Sequence, residues 1–222
     1  MKVVVFDVNE TLLDLRVLDG PFDDLFGRPG LRPPWFALML QLSFVGGLTG
    51  NYVDFTTAQH AALRMLAERE RVSLSDTEAD RLVGLMTALP PHADVDGALA
   101  RIAASPLRVV ALTNSPQAVA EAQLTHAGLL SHFDRVMSAD AVRSLKPSPA
   151  PYLAVADAFD VPPSELRLVA AHSWDVAGAL SVGCGAAFVA RPGMVLSPIG
   201  QQPDIVGADV AAVVDRILAT DV

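Results

Sequence analysis

Four residues near the amino terminus, Val3-Val4-Val5-Phe6, are β-branched or aromatic with no polar alternation, and the run stops at a carboxylate, Asp7. An unbroken apolar run of this length is the pattern of a strand buried on both faces of a parallel sheet, because a strand with one wet face would alternate. A parallel strand cannot stand alone: it obliges the rest of the chain to supply further strands and the helices that cross between them. It also puts Asp7 at the carboxyl end of a strand, the edge at which open α/β sheets bind ligands. Aspartates at strand ends also cap turns. On this stretch alone, a reactive group and a turn cap are equally good readings.

Residues 15–34 read as a loop, punctuated by Gly20-Pro21, Pro29-Gly30 and Pro33-Pro34. Helical patterns follow over 35–48, 56–71 and 75–89, the last opened by Ser75 and Glu78 at capping-box spacing and closed by Pro90-Pro91. From Asp96 onward helix and strand alternate, with strands expected over 107–112, 134–138, 166–171 and 186–190. Helices are expected over 96–104, 116–127, 149–159, 175–182 and 208–219. This alternation predicts a parallel sheet with right-handed crossovers, and the opening strand, with no strand near it in sequence, must join that later sheet. The chain therefore reads as an α/β fold, a Rossmann-like parallel sheet core of residues 1–15 and 93–222 with an inserted helical cap domain over 16–92.

Composition narrows the function. Hydrophobic residues make up 51% of the 222 and charged ones 18%, enough apolar content to fill a core and too much for a long disordered span. A formal charge of −9 offers no basic face to nucleic acid and disfavours anionic membranes. The most apolar stretch, 35–48, is shorter than the roughly 20 residues that span a bilayer and is broken by Gln41 and Ser43. That leaves a buried or partner-facing helix, and the apolar cap points to a homodimer. Cys184 is the single cysteine, so no internal disulfide forms, and no cleavable apolar leader opens the chain; a reducing cytoplasm is the expected compartment. Cys184, beside glycines in an apolar stretch, reads as core. His60, His92, His126 and His132 lack metal-ligand spacing with one another.

The apolar runs end in a set of polar groups: Asp7 after the first, Thr113-Asn114-Ser115 after the second, and His172 with Asp175 after a later one, while Lys146 lies in Lys146-Pro147-Ser148-Pro149. Groups at one edge of a parallel sheet converge although far apart in sequence. Taken together and in order, Phe6-Asp7-Val8-Asn9-Glu10-Thr11-Leu12, Leu112-Thr113-Asn114-Ser115, the Lys146 segment with Tyr152, and Trp174-Asp175 resemble the four motifs of the haloacid dehalogenase superfamily. The helical insertion between the first two, with Trp35 and Tyr52-Val53-Asp54-Phe55, resembles the cap of its L-2-haloacid dehalogenase branch.

That resemblance implies a hydrolase, similar to (S)-2-haloacid dehalogenases, that removes halide from short 2-haloalkanoic acids through an aspartyl ester. It implies Asp7 as the nucleophile, Thr11 to orient it, Lys146 to counter its charge, and Asp175 to position Lys146 or the hydrolytic water. Thr113 and Asn114 would hydrogen-bond the substrate carboxylate or the nucleophile. Asn9, Trp35, Phe36 and Tyr152 are candidates to line the pocket of a small anionic substrate, although apolar groups at helical spacing such as Trp35 and Phe36 more often simply pack. A displacement by carboxylate needs a desolvated group held by donors, which suits this set. His172 stands where the family often has asparagine; it reads equally as a base that activates water and as a structural histidine.

Three departures bear on the reaction. Superfamily phosphatases carry a second aspartate two positions after the nucleophile to protonate a leaving alkoxide; here Asn9 stands, and an amide is no general acid. Ala171 replaces the earlier of two aspartates that help such enzymes hold Mg²⁺. Halide needs no proton, so these changes favour a dehalogenase with no metal and no cofactor over a Mg²⁺-dependent small-molecule phosphatase. A third departure, Phe36 in place of the arginine that helps receive halide, leaves open a degenerate member that binds an anion without turnover. Arg32 or Arg28 would be the substitutes for that arginine.

Overall fold

The computed structural model describes all 222 residues. Six strands, β1 (Val3–Phe6), β2 (Arg108–Thr113), β3 (Arg135–Ser138), β4 (Leu166–Ala170), β5 (Gly185–Val189) and β6 (Ile205–Gly207), form one sheet in the order β3-β2-β1-β4-β5-β6. Every pairing is parallel. The expected α/β class holds, and the opening strand lies between the second and the fourth, with Phe6 level with Ala111 on one side and Val169 on the other.

The missing alternation in β1 has a direct cause. Val4 and Phe6 point into a core cluster of 44 residues shared with the helices that follow, whereas Val3 and Val5 point into a second cluster of 15 on the opposite face. Both faces of the strand are dry, so neither tolerates a polar side chain.

Between β1 and β2 the elements are helical: α1 (Asp19–Phe26), α2 (Arg32–Thr49), α3 (Phe55–Glu70) and α4 (Asp76–Gly84), with short 3₁₀ turns at Leu15–Leu18 and Leu85–Ala88. The chain leaves and re-enters the sheet region side by side, since Asp14 N donates to Pro90 O at 2.8 Å and His92 N to Leu12 O at 2.9 Å. One expectation is corrected here. Residues 15–34 are mostly helical, with only 27–31 left as a loop: Leu15, Leu18, Phe22 and Phe26 recur at helical spacing and are all buried. Gly20-Pro21 falls in the first turn of α1, where a backbone N–H has no intrahelical acceptor and proline costs little. Pro33-Pro34 likewise sits in the first turn of α2 rather than before it. The Ser75–Glu78 capping box forms as expected.

After β2 the chain runs through α6 (Gln117–His126), α7 (Pro149–Phe159), α8 (Ser173–Ser181) and α9 (Val210–Asp221), and α5 (Val95–Ala103) precedes it. The strand missing from the sequence reading is β6; three residues with Gly207 at the end carry too little pattern to be seen. Cys184 is buried as expected. No helix is long and apolar enough to cross a membrane.

Candidate active site

Asp7 leaves the central strand with its backbone N–H donating to Val169 O at 3.0 Å, which aims the side chain over the carboxyl edge of the sheet. The carboxylate is 4% exposed and its two oxygens have different partners. Oδ1 accepts from Lys146 Nζ at 2.9 Å; Oδ2 accepts from Thr11 Oγ1 at 2.7 Å and lies 3.1 Å from His172 Nδ1. Thr11 is itself fixed, since its oxygen accepts from Ala171 N at 2.9 Å.

Lys146 is fully buried, so a solvated surface lysine is ruled out. Its ammonium has three protons and three acceptors: Asp7 Oδ1, Asp175 Oδ2 at 2.6 Å and Leu112 O at 2.9 Å. Asp175, in the first turn of α8, accepts at its other oxygen from Tyr152 Oη of α7 at 2.5 Å. Those two helices approach because residue 178 is glycine: a Cβ there would stand 2.5 Å from Tyr152 Oη and 2.7 Å from Pro147 Cβ. Asn114 clamps the lysine backbone from β2's end, accepting from Lys146 N at 2.8 Å and donating to Lys146 O at 3.2 Å. A lysine in the apolar interior, with every proton and its own peptide held, is a fixed charge.

The charges follow from this geometry. Burial pushes Asp7 up, but Lys146 and His172 outweigh it and hold the carboxyl well below the ordinary carboxylate range. Burial would discharge Lys146, yet Asp175 and Asp7 keep it protonated. For Asp175 the balance tips the other way: burial and the neighbouring Asp7 raise it, against the pull of Lys146. One ammonium serving two carboxylates favours ionisation of the one that also has His172, and that is Asp7. Burial lowers His172 but bonds to Asp7 and Glu10 lift it to about 10, so the ring is an imidazolium at neutral pH.

His172 is gripped on its faces as well. Its ring stacks on Phe36 of α2 with centroids 5.8 Å apart and on Trp174 at 5.0 Å, and Phe44 meets Trp174 edge-on at 5.6 Å. Phe36, which stands where an arginine was expected, therefore supports a cation instead of supplying one. Trp174 Nε1 is buried without a hydrogen-bond partner.

The remaining residues singled out in the sequence are spread differently. Trp35 is buried beside Phe36 and Phe22, and its N–H is spent on Gln59 O at 3.0 Å. Thr113 Oγ1 accepts from Ser115 N, and Asn9 is tied to Ser115 Oγ at 3.2 Å and Gln123 Nε2 at 3.0 Å; no hydrogen bond joins either to Asp7. Arg28 pairs with Glu70 at the surface and is no substitute for the missing arginine. Arg32 reaches Glu10 and Asp19. Asp7, Thr11, Lys146, Asp175 and His172 are thus directly linked, with Tyr152, Asn114 and Phe36 behind them. Two groups escaped the sequence reading: Glu10, which bonds His172 Nε2 at 2.9 Å, and the free N–H of Trp174. Glu10 lay inside the first motif, and its acidity three residues from Asp7 was the available signal.

A pH prediction follows from the imidazolium. The folded protein binds the His172 proton more tightly than the free ring at 6.5, so the associated stability is fully present below about pH 6.5 and is lost as pH rises through about 10. Urea unfolding of the native chain and of His172→Asn should show a stability gap that narrows across this window. A gap independent of pH would mean that the ring carries no charge between Asp7 and Glu10.

Comparison with known proteins gives a consistent picture. A family model described as haloacid dehalogenase-like hydrolase matches residues 1–183. The chain is 29% identical over 218 residues to an (S)-2-haloacid dehalogenase of Pseudomonas sp. strain YL, covering 97% of this chain and 94% of that one. It is 30% identical over 193 residues to an (S)-2-haloacid dehalogenase of Xanthobacter autotrophicus, covering 86% and 76%. Among solved structures, the L-2-haloacid dehalogenase of Xanthobacter autotrophicus with chloropropionic acid covalently bound matches with a TM-score of 0.91 at 26% identity, over 100% of both chains.

Proposed function

Because this chain belongs to the haloacid dehalogenase-like hydrolase family, and because its Asp7 is an ionised, enclosed carboxylate at a strand end, we propose that it is a hydrolase that removes halide from short (S)-2-haloalkanoic acids through an ester on Asp7. The observation that carries this reading is the held charge of Asp7, with Lys146 on one oxygen and Thr11 on the other, in a fold shared with a dehalogenase to which chloropropionic acid is covalently bound.

In the first half-reaction an Asp7 oxygen attacks the carbon that bears the halogen and the halide departs with the bonding pair. Enclosure strips the carboxylate of water, while the fixed donors keep it ionised and aimed. In the second half-reaction water attacks Asp7 Cγ, and His172, 3.1 Å from the nucleophile, activates it once ester formation has removed the Asp7 charge and the ring has released its proton. Lys146 serves as the fixed counter-charge and Asp175, Tyr152 and Asn114 as its mount. With Phe36 at the arginine position, the imidazolium of His172 and the unpaired N–H of Trp174 are the groups suited to receive halide. Residues 16–92 act as the cap, bringing Phe36 over the ring. The homodimer stays part of this reading, since Val45 and Leu48 stand exposed toward the end of α2; so does a reducing cytoplasm, in keeping with the lone Cys184.

The test is release of halide from a panel of 2-chloro and 2-bromo acids, run with and without a chelator, beside release of phosphate from phosphoesters with Mg²⁺. Halide release that survives chelation is the expected result. Phosphate release without halide release would overturn it and point to the phosphatase chemistry of the superfamily.

A further inference from the structure

Glu10 takes part in none of the steps above, yet it is built into the site at some cost. Its backbone is left-handed, with φ at 61°, a conformation that favours glycine and is uncommon for a residue with a side chain. What the side chain does there is bridge two elements. One oxygen lies 2.9 Å from His172 Nε2; the other accepts from Arg32 Nη1 of α2 at 3.2 Å. The opposite ring nitrogen of His172 faces Asp7. On its far side Glu10 lines a cavity of about 460 Å³, with Arg32, His92, Asp94 and Arg191 in its wall, which reaches the surface at the exposed Arg16 and Gly193. A continuous line of polar atoms therefore runs from the nucleophile through His172 and Glu10 to an open, polar cavity. Asp7 itself does not line that cavity.

We propose that Glu10 orients His172 as the base of the hydrolytic half-reaction and relays the proton released in each turnover to this cavity. The inference rests on the ester reading above and deepens it. In the resting site the imidazolium sits between two carboxylates, Asp7 and Glu10, with Lys146 and Arg32 as the nearest cations on their far sides. Ester formation at Asp7 removes one of those negative charges, and the ring passes its proton through Glu10 to solvent in the cavity. Neutral His172 then takes a proton from water as the water oxygen bonds to Asp7 Cγ. The tetrahedral intermediate collapses with cleavage of the bond from Cγ to the ester oxygen, and the departing 2-hydroxy acid takes that proton from His172. Asp7, left as a carboxylic acid, returns its own proton to the ring. Water has been added across the ester and one proton has left the protein; no other reactant is needed.

The experiment uses the whole chain with (S)-2-bromopropionate in single-turnover mixing, following halide, hydroxy acid, the mass of the intact protein, and released protons through an indicator dye. Glu10→Gln keeps the shape and removes the relay. It should release one equivalent of halide as fast as the native protein, then hydrolyse the ester about 10²-fold more slowly, the lower end of the range for general base catalysis, so that the adduct accumulates on Asp7. A purely structural role would slow both phases together or neither. Native-rate hydrolysis in a folded Glu10→Gln variant would overturn the role of Glu10 while leaving the ester reading intact. Label from ¹⁸O water found in the first hydroxy acid released by the native protein would overturn the ester reading, and this inference with it. The native chain alone gives a second check: its proton should appear with the halide, ahead of the hydroxy acid. A proton that lags the halide and appears only with the hydroxy acid overturns the relay whether or not the variant folds.

Discussion

Asp7→Asn is expected to abolish turnover, by about 10³-fold or more, the scale on which covalent enzymes lose rate when the nucleophile is removed. The amide is nearly the same size, so packing against Val169 and Thr11 survives, but it carries no charge to attack carbon and its nitrogen brings protons toward Lys146 or His172. A loss of rate alone does not separate a nucleophile from a charge that merely orients substrate. Single-turnover hydrolysis of the native protein in ¹⁸O-labelled water does. If water attacks Cγ of an ester, the label enters Asp7 in the first turnover and reaches the hydroxy acid only in later ones. Label found directly in the first product would mean that water attacks the substrate carbon and that Asp7 acts as a base or an electrostatic group.

Lys146→Met should be the most destabilising change in the site, by about 3–5 kcal/mol, the usual consequence of removing one partner from a buried ion pair. Methionine fills much of the stem's space, yet the ammonium has been the shared donor to Asp7, Asp175 and Leu112 O. Two carboxylates and a carbonyl would be left facing one another in the apolar interior. The pH dependence distinguishes this cause from poor packing. Without the lysine both carboxylates become easier to protonate, so the stability gap between native and variant, measured by urea unfolding, should be widest near neutral pH and narrow as pH falls into the carboxylate range. A packing defect would give a gap that does not change with pH. Activity should fall by about 10²-fold or more, as when a fixed donor is removed from developing charge.

The properties legible in the sequence were local ones. Val3 to Phe6 announced a strand dry on both faces because both faces are indeed packed, and the carboxylate that ended the run marked the functional edge. Helix termini such as Ser75 with Glu78 were readable because capping is settled within a few residues. The error over residues 15–34 came from the same locality: glycine and proline punctuate a chain, and only the burial of Leu15, Leu18, Phe22 and Phe26 against the rest of the core overrides them.

By itself, then, the order of residues determined the α/β class, the helical insertion after the first strand, and the roster of polar groups at the strand ends, since periodicity and its interruption are written in neighbouring residues. Tertiary structure alone decided how that roster is wired. Lys146 could be a solvated surface lysine or a fully buried one until three acceptors from three segments closed around it. Asn114, expected to hydrogen-bond the substrate carboxylate or the nucleophile, holds the lysine's backbone, and Phe36, expected to leave a gap, supports a protonated His172. Glu10 joins that histidine from the far end of the chain and ties it to Arg32 of the inserted helices. Such pairings depend on strand order and on which helix crosses above which strand. In a dry interior they are also where a charge gains or loses most, so the chemistry of this protein lies in contacts that no local pattern encodes.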